Sequence, residues 1–595
     1  MNEVSTNNRI IPDDSQYGMI SFEILIEGNR VAPETEILAI SVQKEIFKIP
    51  TATIVLKDGD AAAETFALSE QETFIPGKKI EIKGGRDGIN STLFKGIILR
   101  HAIKITQKGT TALTLECKDE VVKLTIGRKN KYFENTTDSD CIRQILGNYD
   151  EKMIGTLEDT KIEHAELVQH HVTDWDFINM RAEVNGKIIL VDDGKVSLKA
   201  PVFDKSALTV IYGSTVVELE AEMDARNQWA NVKTSAWNYT TQEIEDFDTS
   251  SIDFREHGNI QGSTLAEAIG LEEYELRHSG QLNAMETEAW TKAVLLKSRM
   301  AKIRGRVKFT GFAALKPGKW ITIQGVGNRF NGTAYVSAIR QEYINGGWYT
   351  HAQFGASPEW YAAKPAISDF PSGGLLPSVN GLQIGKVVQL QDDPAGEDRI
   401  LIKLPTLDNN ARGIWMRVAC LDAGNERGSF FRPEIDDEVI VGFINNDPRE
   451  GIVIGQLNSQ AKPAPISAQD SNHIKGFYTR SKMKVEFDDE KSIMTLETPA
   501  GNKIVISDDE QSITLTDQTN NEIKMSPSGI EMNSPKDIKI SATGNIEIEA
   551  TQSMKIKGLT TDVEANTALS LKGGVNATLD GGPSVAVKGI QIMLG

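Results

Sequence analysis

Two carboxylates held several ångströms apart can cleave a glycosidic bond, one as acid and the other as base or nucleophile. The sequence offers adjacent pairs at Asp192-Asp193 and Asp436-Asp437. Both stand in turn-forming contexts, where Asp side chains hydrogen-bond the nearby backbone, so a structural use is expected. His170-His171 offers two imidazoles, but neighbours on a strand point to opposite faces and would not share a metal. No further ligand stands at a zinc-like spacing from them, and no histidine follows His473. Cys117, Cys141 and Cys420 form no metal or redox spacing. An odd, sparse set fits a reducing compartment, and buried apolar thiols are expected. No P-loop occurs, and no Gly-x-Gly-x-x-Gly opens a helix. The expectation is therefore no catalytic residue, no metal and no cofactor.

The totals exclude further classes. The 595 residues carry a formal charge of −19, with 25% charged and 39% hydrophobic residues, ordinary for a folded, multidomain chain. An acidic chain binds nucleic acid poorly, because phosphates need Lys and Arg to release counterions. Charge alone would not hold it on an anionic membrane either. No stretch approaches the roughly eighteen apolar residues of a spanning helix. The polar start "MNEVSTNNRIIPDDSQYG" shows no cleavable export signal. Export, if it happens, is expected by a route other than general secretion.

Few helices position these residues. Up to about 118 the chain alternates as strands do: "IPTATIVLKDGD" sets Ala52, Ile54 and Leu56 on one face, with Asp58-Gly59 as the turn. This reads as a closed or sandwiched β domain. An α/β insertion is expected at about 119–200. "TDSDCIRQILGNYD" suits a short helix. "TDWDFINMRAEVNG" suits a second, with Thr173 as N-cap, Asp174 and Asp176 in the first turn, and Asn185-Gly186 at the end. "KIILVDDGKVSLKA" then reads as a hairpin turning at Asp193-Gly194. Strands resume from 200 to 365, interrupted by one helix around "NAMETEAWTKAVLLKSRMAK". "ISDFPSGGLLPSVNG" reads as a linker. Five strand-like runs between 381 and 457 suit a small barrel of the OB type.

From about Ser481 the character shifts, and no aromatic residue follows Phe487. In "DIKISATGNIEIEATQSMKIKG", Ile538, Ile546 and Met554 stand eight apart, as do Ile540, Ile548 and Ile556. Ile530 and Met532 start the series. Ile523 and Met525 precede them by seven, read as one shorter turn, and past Gly558 the spacing loosens at Val563, Leu569 and Leu571. Short fixed-period repeats indicate stacked structure. Eight extended residues span at most roughly 28 Å, too little for three sides of a closed coil. Three chains, each giving one side of a triangular shaft, solve this and leave few free edges. Ile530, Met532, Ile538, Ile540, Ile546, Ile548, Met554 and Ile556 would line the axis. A flat two-layer solenoid or amyloid-like stacking would use the same pattern. The chain ends in an apolar alternation through Ile590, Ile592, Met593, Leu594 and Gly595. Stacked repeats normally need a polar cap, so another protein is expected to cover this end.

Three blocks carry a family resemblance: "FKIPTATIVLKDGD", "TDWDFINMRAEVNGKIILVDDGK" and "GIWMRVACLDAGNERGSFFRPEIDDEVIVGFINNDPREGIVIGQLNS". With the C-terminal repeats, they resemble the valine-glycine repeat G (VgrG) spike proteins of type VI secretion systems. The chain is also similar to hub-plus-spike proteins of contractile phage tails and extracellular injection particles. The resemblance implies a mainly β fold. β-Barrel hub domains with the α/β insertion would occupy 1–375 and an OB-fold collar 376–460. A linker would span 461–480, and a trimeric, triple-stranded intertwined β-helix needle 481–595. It implies a homotrimer docked on the inner tube (Hcp-like) among baseplate proteins, with a proline-alanine-alanine-arginine (PAAR) repeat tip protein. It implies cytoplasmic assembly, delivery by the contractile apparatus, and transient contact with a target membrane; no nucleic acid is expected as a partner. Because the sequence stops at Gly595, effector cargo is expected as a separate docked partner. The segment from Gln460 to Arg480 is too short for the lysozyme-like insertion of some phage spikes. An enzyme-bearing spike, with a catalytic centre in the 119–200 insertion, and a receptor-binding fibre are the alternatives.

Overall fold

In the computed structural model of the chain, the described residues are 10–12, 18–107, 109–270, 273–364, 367, 370–406, 410 and 412–594. They divide into two compact units, Met1–Gly455 and Gln456–Gly595.

In the first unit thirteen of the hub strands form one continuous sheet, and the others form smaller sheets of two and three strands. Its two halves join where Gly332–Ile344 pairs antiparallel with Ile37–Glu45. Strand Thr51–Lys57 buries Ala52, Ile54 and Leu56, the face its alternation assigns. They meet Ile82, Ile98 and Leu113 in one core; Val307, Phe309, Ile323 and Phe354 build a second.

The insertion holds helices α1 (Asp138–Gly147) and α2 (Asp174–Val184). As expected, Thr173 caps α2 by accepting from the Asp176 N–H at 3.0 Å. Trp175, Ile178 and Ala182 are buried, and Gly186 ends the helix with φ 63°. The following hairpin turns through Asp193 (φ 50°) and Gly194 (φ 84°), both in the left-handed region its two-residue turn needs.

Between 200 and 365 the described residues contain two helices where the sequence reading expects one. α3 (Gly262–Ile269) joins α4 (Ala284–Ala301). α3 is short and its N-cap, Gln261, makes no side-chain capping bond; its one signal is Gly270, left-handed at φ 74°. All five runs expected of the small barrel are present. They close in the order Gln383–Gln389, Ile400–Lys403, Ile414–Val418, Gly451–Gln456, Glu438–Phe443, around Val387, Ile402, Met416, Val439, Val441 and Val453.

The second unit opens with a seven-stranded antiparallel meander: Ile474–Tyr478, Lys484–Asp488, Ile493–Glu497, Lys503–Ser507, Ser512–Thr516, Glu522–Ser526 and Gly529–Asn533. These strands pair within one chain, whereas the sequence reading has winding between chains from Ser481. The seven-residue step from Ile523 to Ile530 is not a shortened coil. It is a tight hairpin in which Ser526 pairs with Gly529 across Pro527-Ser528. From Ser534 to Leu594 the chain runs in extended pieces with no ladder among the described residues.

Candidate trimer interface

In the meander, Val485 faces Leu496, which faces Ile504, then Leu515, Ile523 and Met532. A second column runs Phe487, Met494, Ile506, Ile513, Met525, Ile530 in the same registers. Both columns lie on one face, because residues two apart on a strand share a side. From Met494 to Met525 these side chains are 37–41% exposed. A groove of about 690 Å³ opens along Leu496, Ile504, Leu515, Ile523, Met532 and Ile538. An apolar strip this long and contiguous on one chain marks a surface built to be covered.

Beyond Ser534 the period becomes geometric. The backbone bends at Pro535-Lys536, Thr543-Gly544, Thr551-Gln552, Leu559-Thr560, Asn566-Thr567, Gly574-Val575 and Gly582-Pro583. All but one of these steps are eight residues, and the exception, from Leu559 to Asn566, is seven. The spacing past Gly558 is thus not loosened: after that single shift, Leu569 and Leu571, then Val585 and Val587, resume the figure. Exposure follows the same rhythm. Ile538, Ile546 and Met554 are 51–53% exposed; Ile540, Ile548 and Ile556 are 68–74% exposed. The extended backbone between bends presents N–H and C=O groups with no intrachain ladder, and such groups demand partners.

Of the residues singled out for the axis, Ile530 and Met532 lie on the last meander strand and the other six on the bent, extended stretch. Ile590, Met593 and Leu594 are fully exposed and Ile592 half so; Gly595 lies outside the described residues. Among the described residues, none of these side chains is buried.

The acidic pairs and the His171 backbone singled out by the sequence make structural contacts. Lys44, itself buried, pairs with Asp192 at 2.5 Å and Asp193 at 3.1 Å, and Lys316 also binds Asp192. Burial raises the Asp192 carboxyl, but Lys44 and Lys316 outweigh it and hold it below its usual range. Asp436 pairs with Lys386 at 2.8 Å, and Asp437 accepts the Glu434 N–H. The His171 N–H donates to Asn130 Oδ1 at a bulge, with φ 43°.

Two buried carboxylates escaped the sequence reading, since only tertiary contacts single them out. Asp138 accepts from Arg181 Nε at 2.5 Å, Asn185 Nδ2 at 2.8 Å and His164 Nε2 at 3.1 Å, while Arg181 reaches Glu286 of α4 at 2.9 Å. Burial would raise its pKa, but the hydrogen bonds from His164 and Arg181 win and set it at about 2. Asp119 accepts the N–H groups of Val121 and Gly194, yet burial still pushes it up to about 6. Cys117 and Cys141 are buried as expected, and burial pushes both thiols up to about 12. Cys420 is exposed, against expectation, because the chain leaves the barrel just after Val418.

Comparison with known proteins assigns three segments. Residues 16–345 match the Alg8 N-terminal domain. Residues 383–457 match the type VI secretion system/phage-baseplate injector OB domain, and residues 493–592 the phage baseplate V C-terminal trimerisation domain. The chain is 23% identical over 378 residues to the type VI secretion system spike protein VgrG1b of Pseudomonas aeruginosa, covering 59% of this chain and 50% of the relative. It is 32% identical over 105 residues to spike protein VgrG3 of Vibrio cholerae, covering 16% and 10%. A solved Escherichia coli component of the type VI secretion system has a TM-score of 0.37 and 11% identity, covering 73% of this chain and 99% of that one. The chain spans about half the length of the first of these relatives and a tenth of the second.

Proposed function

This chain belongs to the VgrG-type hub-and-spike family of phage baseplates and type VI secretion systems, and from that premise we propose that it leads a contractile injection apparatus as a homotrimer. The observation that carries this is the uncovered apolar strip and the eight-residue bends, which coincide with the trimerisation domain at residues 493–592. In this reading Ile530, Met532, Ile538, Ile540, Ile546, Ile548, Met554 and Ile556 meet their symmetry mates along the shaft. The hub seats on the inner tube and the barrel forms the collar. Sheath contraction drives the shaft through the target envelope, so the protein is delivered outward after assembly inside the cell. Ile590, Ile592, Met593, Leu594 and Gly595 would seat a PAAR-type tip protein, and effector cargo would travel with it. The role is mechanical rather than catalytic. Support comes from the acidic pairs, whose Asp192, Asp193 and Asp436 are held by Lys44, Lys316 and Lys386.

Native mass measurement tests the assembly: three times 65.4 kDa is expected, and a stable monomer at micromolar concentration would overturn it. Incubation of the purified trimer with peptidoglycan should release no fragments; turnover would reinstate the enzyme-bearing spike.

A further inference from the structure

The small barrel carries two separate apolar surfaces that its own chain leaves exposed or only partly covered. The first lies on the excursion from Ala419 to Asp437, between strands Ile414–Val418 and Glu438–Phe443. Connections this long in compact domains are usually functional. This one is ordered. Ala423 pairs with Gly428 and Gly424 with Arg427. Arg427 Nη1 bonds Asp422 at 2.8 Å, and the Ser429 N–H donates to the Asp422 carbonyl at 2.9 Å. That last bond closes the hairpin base, with Leu421 and Phe430 the next residues outward on its two arms. Leu421 is 89% and Phe430 78% exposed, and Ile435, further along, is also exposed. A structured hairpin that holds large apolar side chains in water has spent chain entropy without gaining burial.

The second surface is on the barrel wall. Val439 and Val441 point inward, so Ile440 between them points out, and Ile384 faces it across the ladder. Ile454 follows the inward Val453 and is exposed, as is Leu382 at the entry to the first strand.

We propose that the Leu421–Phe430 hairpin of one protomer seats on the Leu382–Ile384–Ile440–Ile454 wall of the next, so that three barrels clasp one another in a ring. The occupant is a second copy for two reasons. The last barrel strand, Gly451–Gln456, runs directly into the unit that contains the trimerisation domain. Trimerisation there tethers three barrels at high effective concentration, where a modest apolar contact suffices. The two surfaces also differ, so the contact is head-to-tail, and a head-to-tail contact closes when the rotation matches the three-fold assembly.

This rests on the trimeric reading, and the test separates the two. The photo-reactive residue p-benzoylphenylalanine is placed at position 430 of the full chain, and the irradiated, purified protein is mapped by peptide mass. Attachment to 382–389, 438–443 or 451–456 of a second chain is expected. A trimer by native mass whose label attaches elsewhere, or only within its own chain, overturns the clasp and leaves the trimer standing. A monomeric mass removes the premise itself. The Cys420 thiol, exposed in one protomer, gives a second readout. In the trimer its reaction with a disulfide reagent should be at least tenfold slower than in a Leu421→Asp/Phe430→Asp variant of the same mass. Equal rates would overturn the clasp.

Discussion

Asp138 and Asp119 pull the hub's pH dependence in opposite directions. The Asp138 carboxyl is at about 2 in the fold and near 3.8 when unpaired. It therefore contributes stability above pH 4 that is lost as pH falls toward 2, about 2 kcal/mol in all. Asp138→Asn should lower the thermal midpoint at pH 7, and the gap from the parent should close between pH 4 and 2. A gap independent of pH would show that Arg181 and His164 do not rely on the charge. Asp119, at about 6 in the fold, has the reverse sign. Ionising it in place is unfavourable, so its contribution falls as pH rises from about 4 to 6 and is flat beyond. Asp119→Asn should flatten that fall, whatever it costs in lost acceptance from Val121 and Gly194. A calorimetric series from pH 2 to 7 checks both signs.

At the scale of elements, α2 depends on its cap. Thr173→Ala removes the bond to the Asp176 N–H, and the insertion should lose about 1 kcal/mol. Hydrogen exchange at Asp174 to Phe177 would report it, and unchanged protection would mean packing of Trp175 and Ile178 holds the turn alone. The shaft elements answer to a different force. In the proposed assembly Ile548→Asp brings three carboxylates to a dry axis, each costing several kcal/mol. Sedimentation should then show monomer, and an intact trimer would remove Ile548 from the axis. Glu531→Lys, exposed on the opposite face of the meander, should leave assembly unchanged by the same measurement.

For the whole molecule, deleting Ile590 to Gly595 should preserve the trimeric mass and abolish binding of a purified tip protein, since these residues would form the seat and not the shaft. Retained binding would move the seat elsewhere. The sequence by itself determined the barrel's five strands, the capped helix at Thr173, the Asp193-Gly194 hairpin and the eight-residue figure. Each is a local pattern, set by alternation, capping or turn chemistry within a few residues. Only the tertiary structure decided that thirteen of the hub's strands join in one sheet through Gly332–Ile344 and Ile37–Glu45. It alone showed that the meander from Ile474 to Asn533 pairs within one chain, that Asp138 knots α1, α2 and α4 together, and that Cys420 and Leu421 stand in water. These depend on which distant segments meet, and alternation is indifferent to the partner: a strand with one apolar face reads the same whether its own chain or another covers it.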